Sequence, residues 1–102
     1  MSRTDTLTAD GTILIPNAIV FGLQLTSVIP DPPPTGDLIV LVKDSDGIGD
    51  VATLARMVIN RDGMATHNTS VTFPAGVRVT KGVSITVTAN GHTDFLFVCD
   101  YS

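Results

Sequence analysis

The sequence contains no glutamate and no tryptophan, a single cysteine and a single tyrosine, and no two basic residues stand side by side. Each shortage removes a class of explanation. Phosphate binding needs clustered Lys and Arg, and six scattered basic residues in a chain of net charge −4 supply no cluster, so no nucleic-acid partner is expected. The lone Cys99, between Val98 and Asp100, cannot close an internal disulfide and reads as a small core hydrophobe. The sequence shows neither a charged start leading into an apolar segment nor a run of eighteen apolar residues. It is therefore expected to fold in solution, without a secretion signal or a membrane span.

What is present points to strands. Fourteen Thr, twelve Val and eight Ile make a third of the chain β-branched, which suits a pleated, half-buried surface and costs rotamer freedom in a helix. All ten acidic residues are Asp, which favours turns and caps, whereas the absent Glu is a helix former. A length of 102 residues allows one domain with one modest core. The expected fold is all-β, a single antiparallel β-sandwich or jelly-roll-like domain of about seven or eight short strands.

Met1 to Thr12 hold four Thr, three charged residues and only Leu7 and Ala9 as apolar anchors, so they read as an extended arm, leaving 13–102 as the sandwich. Ala18 to Leu25 and Asp37 to Lys43 are apolar on both faces, as central strands covered from two sides would be. Between them, Pro30 to Gly36 carries three consecutive prolines and reads as a stiff surface loop. Val51 to Asn60 has Leu54, Met57 and Val58 at helical offsets, but its shortness and the Asn60-Arg61-Asp62-Gly63 turn favour a strand. Further strands are expected at Thr66 to Phe73, Val77 to Thr80, Val83 to Ala89 and Asp94 to Tyr101, separated by Pro74-Ala75-Gly76, Lys81-Gly82 and Asn90-Gly91-His92. From Val83 to Ala89 the odd residues are apolar and the even ones are Ser84, Thr86 and Thr88, one face for a core and one for water. In the last strand Leu96 and Val98 lie opposite Phe95, Phe97, Cys99 and Tyr101. The surplus of apolar faces implies self-association.

No catalytic constellation can be drawn, and the chain is read as a non-enzyme. Asp44-Ser45-Asp46-Gly47-Ile48-Gly49-Asp50 half fits a calcium loop, with Asp at the first, third and seventh positions and Gly at the sixth. Ile48, however, stands at the fifth, and Ala55 where the bidentate Glu belongs, so it is read as an ordinary turn without metal. His67 and His92 sit beside turn residues with no second ligand at metal spacing and read as solvated. Ser84 and Cys99 have no nucleophile motif around them. Asn68-Thr69-Ser70 fits the glycosylation triplet, which is idle without a secretory route. No cofactor is expected.

The run VTFPAGVRVTKGVSITVTANGHTDFLFVCDYS, Val71 to Ser102, resembles small β-sandwich virion structural proteins of tailed bacteriophages, in which a strand ends in Phe-Pro-x-Gly, a short strand follows, and a Lys/Ser/Asn-Gly turn leads into a strand like VSITVT. The resemblance covers a third of the chain and contains no catalytic residue. It implies a capsid decoration or cement protein, made in the host cytoplasm, sitting as a trimer on the major capsid protein lattice, with the arm disordered until it meets the particle. A tail, fibre or adsorption module is the alternative. A carbohydrate-binding module comes behind both, because it would need more exposed aromatic rings than Tyr101 and four Phe provide.

Overall fold

The computed structural model describes residues 3–29, 33–61 and 66–102, and every regular element among them is a β-strand. In chain order these are β1 (Arg3–Leu7), β2 (Gly11–Ile13), β3 (Ile19–Val28), β4 (Leu38–Ser45), β5 (Asp50–Ile59), β6 (Thr66–Arg78), β7 (Val83–Thr88) and β8 (Asp94–Tyr101). They form two four-stranded antiparallel sheets, ordered β1-β8-β3-β6 and β2-β7-β4-β5. The pairs β1·β8, β2·β7, β3·β6 and β4·β5 nest inside one another, as happens when one long antiparallel ribbon is folded over and rolled. That nesting is the jelly roll, a β-sandwich of Greek-key strands.

The core follows from alternation. Leu23 and Leu25 of β3, Leu38, Val40 and Val42 of β4, Met57 and Ile59 of β5, Val83 and Ile85 of β7, and Phe97, Cys99 and Tyr101 of β8 form one buried cluster from both sheets. Each fully buried Leu, Ile or Phe contributes about 1.5–3 kcal/mol relative to an exposed one. Two strands break strict alternation, and the register shows why. Between Val20 and Gly22, β3 carries one residue more than β8, so Phe21 bulges and both Val20 and Leu23 turn inward. In β5 the extra residues are Val51 and Leu54, which produces the spacing of Leu54 and Met57 that imitates a helix.

The expected arm is corrected. Arg3–Leu7 is paired along its whole length with Phe97–Tyr101, and Gly11–Ile13 pairs with Val83–Ile85. Backbone pairing holds this polar segment where side-chain pattern gives no sign of it, and four of the five β1 side chains stay exposed. Met1 and Ser2 lie outside the described residues, as do Pro30 to Pro32 of the proline loop and Asp62-Gly63 of the expected turn.

The two strands expected around Pro74-Ala75-Gly76 are one. Opposite the Phe21 bulge, β6 steps from Thr72 to Val77 while β3 steps only from Gly22 to Val20, so the Phe-Pro-Ala-Gly stretch is an excursion within β6. Gly76 makes it possible at φ 77°, where a Cβ would collide with Ile19 Cγ2 and sit 3.1 Å from Phe21 Cε1. Val79 and Thr80 follow outside the strand, with Val79 fully buried.

Candidate functional site

The Asp44–Asp50 turn joins β4 to β5 at the end of the sandwich where the 80–82 loop also lies. Asp44 is only 4 % exposed, and its carboxylate accepts hydrogen bonds from the backbone N–H groups of Thr80 (2.8 Å), Lys81 (3.0 Å) and Gly82 (3.4 Å). Burial pushes its pKa up, but the three N–H donors together outweigh that and, with the Lys81 charge, hold the carboxyl below its ordinary value. Asp46 Oδ1 accepts from the N–H groups of Ile48 (2.9 Å) and Gly49 (2.8 Å), and these bonds lower its pKa. Asp50 is held down chiefly by Lys43 Nζ at 2.9 Å and then by Ser45.

Each of the three carboxylates that half fitted a calcium loop is thus already engaged, one in fastening a neighbouring loop, one in shaping its own turn and one in an ion pair. No group of three metal-capable side chains occurs among the described residues. Because a ligand that binds only the native state raises its stability by mass action, the melting temperature is expected to be the same in calcium and in chelator. A rise with calcium in a thermal melt would show that these carboxylates form a site.

His92 differs from its expectation. It is 3 % exposed, not solvated, with Nε2 3.0 Å from the Gly36 carbonyl and Nδ1 3.3 Å from Ser27 Oγ, itself 1 % exposed. A carbonyl only accepts, so Nε2 carries the proton, and Nδ1 accepts from the Ser27 hydroxyl. Although a serine and a histidine meet here, both are sealed from solvent, and the third partner is a carbonyl where a triad has a carboxylate. The pair fastens loops. Beside it Thr35 N–H and Gly36 N–H donate to the Asn90 carbonyl at 2.9 and 3.3 Å, and Asn90 Nδ2 donates to the Asp37 carbonyl at 2.8 Å. One sequence signal pointed here: Ser27 continues the inward series of Leu23 and Leu25, a buried hydroxyl that needs a partner.

The other candidates are dispersed. Ser84 Oγ accepts from Thr12 Oγ1 at 3.2 Å and donates to the Gly11 carbonyl at 3.3 Å, between β7 and β2. Cys99 is buried in the core, where burial pushes its thiol up to about 12, the opposite of an activated nucleophile. His67 is half-buried on β6, which also carries Asn68, Thr69 and Ser70.

The largest concavity is an open cleft of about 890 Å³ where β1 and β2 diverge, lined by Arg3, Asp5, Thr6 and Leu7, by residues 12–18, and by Tyr101 and Ser102. Its one strong polar contact is internal: Tyr101 OH donates to Asp5 Oδ2 at 2.6 Å, which raises the phenol pKa because ionisation would forfeit the bond. Ligand pockets bury most of their ligand against apolar walls with converging polar groups, and this open, mixed-polarity cleft has neither property.

The working surfaces are therefore the outer faces. On the β1-β8-β3-β6 sheet the register aligns Thr6, Val98, Gln24 and Ser70 in one row and Leu96, Thr26 and Asn68 in the next, a hydroxyl and amide face with an apolar centre. On the other sheet Ile39, Leu41 and Val58 alternate with core residues and face outward, flanked by Arg56, Thr86 and Thr88. No family model matches the chain, and no curated protein matches it significantly.

Proposed function

We propose that the chain is a non-enzymatic structural protein of a phage virion, a capsid decoration or cement protein that binds the outside of the major capsid lattice and self-associates. The observation that carries this reading is the division of the molecule into an apolar interior and two extended outer faces, with the polar side chains of the described residues used to fasten loops. Among the described residues Phe97 and Tyr101 are buried in the core, and Phe21 at 37 % exposure is the aromatic most open to water, which leaves a carbohydrate site little to stack on. Jelly rolls occur in both capsid proteins and lectins, so topology alone does not choose between them. The similarity of 71–102 to virion sandwiches weighs toward the particle.

Attachment in this reading runs through outer-face apolar and main-chain contacts, with Ile39, Leu41 and Val58 as one apolar centre, because the segment first read as a free arm is spent on β1. Purified chain mixed with capsids that lack it should co-sediment with them. Moderate salt should leave that binding in place, since screening weakens exposed ion pairs and not buried apolar area. Capsids that retain none of the chain would sink the decoration role, and retention by isolated tails would transfer it to the tail or fibre reading.

A further inference from the structure

We infer that the outer edge of β6, over residues 66–72, pairs antiparallel with the same edge of a second copy, joining two four-stranded sheets into one of eight strands. The inference does not depend on the virion role. It comes from comparing the four free edges of the sandwich, those of β1 and β6 on one sheet and β2 and β5 on the other.

Exposed edges offer unpaired N–H and C=O groups to any extended chain, and proteins blunt them by shortness, charge, proline or bulges. Strand β2 has three residues. Strand β5 slips register twice, at Val51 and at Leu54. Strand β1 has five residues and carries Arg3 and Asp5. By contrast, β6 runs from Thr66 to Thr72 in unbroken register with β3, with no proline, no Lys, Arg or Asp, and no bulge. Alternate residues of such a run point their backbone groups away from β3. No backbone hydrogen bond among the described residues uses that outer edge.

The occupant follows from charge and self-complementarity. A chain of net charge −4 repels its own copies, and this uncharged run is where two of them approach without opposing charges. Pairing about Thr69 sets the two Thr69 residues opposite one another, places Asn68 of each copy against Ser70 of the other, and places His67 against Val71. Asn68 and Ser70 are exposed on the outer face, where opposed hydroxyl and amide groups hydrogen-bond. A two-fold contact of this kind closes on itself, so it gives a dimer and not the trimer that the family resemblance implies.

Light scattering on the full chain at micromolar concentration tests this. The expected mass is twice the 10.7 kDa of the chain. N68K/S70K puts Lys against Lys at two places across the axis, while N68K/S70D puts Lys against Asp at both. The first variant should dissociate at least about tenfold more readily than the second in low salt. Both should melt close to the wild-type monomer, since the two positions are exposed. A wild-type mass of one chain or of three, or a dimer equally tight in both variants, would overturn the inference.

Discussion

Deleting residues 1–7 should destabilise the domain and make it aggregate, the opposite of what removing a free arm would do. The deletion takes away all of β1 and, with it, the backbone pairing to Phe97–Tyr101 and the Tyr101–Asp5 hydrogen bond at 2.6 Å. It also removes Leu7, which packs against the core. A hydrogen bond to a charged group contributes about 1.5–3 kcal/mol and each neutral one about 0.5–1.5, partly offset by the ordering entropy no longer needed for seven residues. The net loss should be about 3 kcal/mol, read as a lower midpoint in urea unfolding. The greater effect is on β8, which becomes an edge whose Phe95, Phe97, Cys99 and Tyr101 are exposed along one side. Cys99 should then react with a thiol reagent that the intact protein resists. A truncated chain with an unchanged midpoint and a protected thiol would restore the arm.

The second large effect is expected at Asp44. Asp44→Ala leaves the N–H groups of Thr80, Lys81 and Gly82 without their acceptor at the base of the β6–β7 loop, at about 1–3 kcal/mol for each group that stays buried. A loss of about 3–5 kcal/mol follows, which in a domain of this size lowers the melting temperature by at least ~15 °C. The same carboxylate sets part of the acid stability. Its folded pKa lies below the ordinary 3.8, so its contribution is complete above that value and disappears as pH falls through the lowered folded value. Asp46 and Asp50 shift the same way, but they are solvent-screened and add little. In Asp44→Asn the fall in stability below pH 4 should be shallower than in wild type. Identical acid profiles for the two would show that the carboxylate charge does not matter to the loop.

Strands that bury one face and expose the other were legible in the sequence. Val83 to Thr88 and Asp94 to Tyr101 alternate as the structure alternates, and β4 could be read from its apolar run. Strand β5 came through despite Leu54 and Met57, whose spacing is a consequence of a bulge. The polar edge strands could not be read. Arg3–Leu7 is held by main-chain hydrogen bonds that every sequence can make, so its Thr-rich pattern carries no mark of its partner. Nor did the sequence tell that Phe73 to Gly76 is an excursion inside one strand, because Pro74-Ala75-Gly76 has the composition of an ordinary turn. Around the loops, Asp44 and Asp46 were read as turn residues and do shape the turn. The bonds from Asp44 to Thr80 through Gly82, and from His92 to Ser27, cross long sequence separations that local composition does not encode.

The central claim is that the two outer faces dock this β-sandwich on the outside of a capsid. A density map of particles that carry the chain, resolved well enough to trace strands, tests it directly. The expected result is two four-stranded sheets on the outer surface of the head lattice, with one outer face against the major capsid protein. Density for the chain confined to the tail, or particles that contain no copy of it, would contradict the claim.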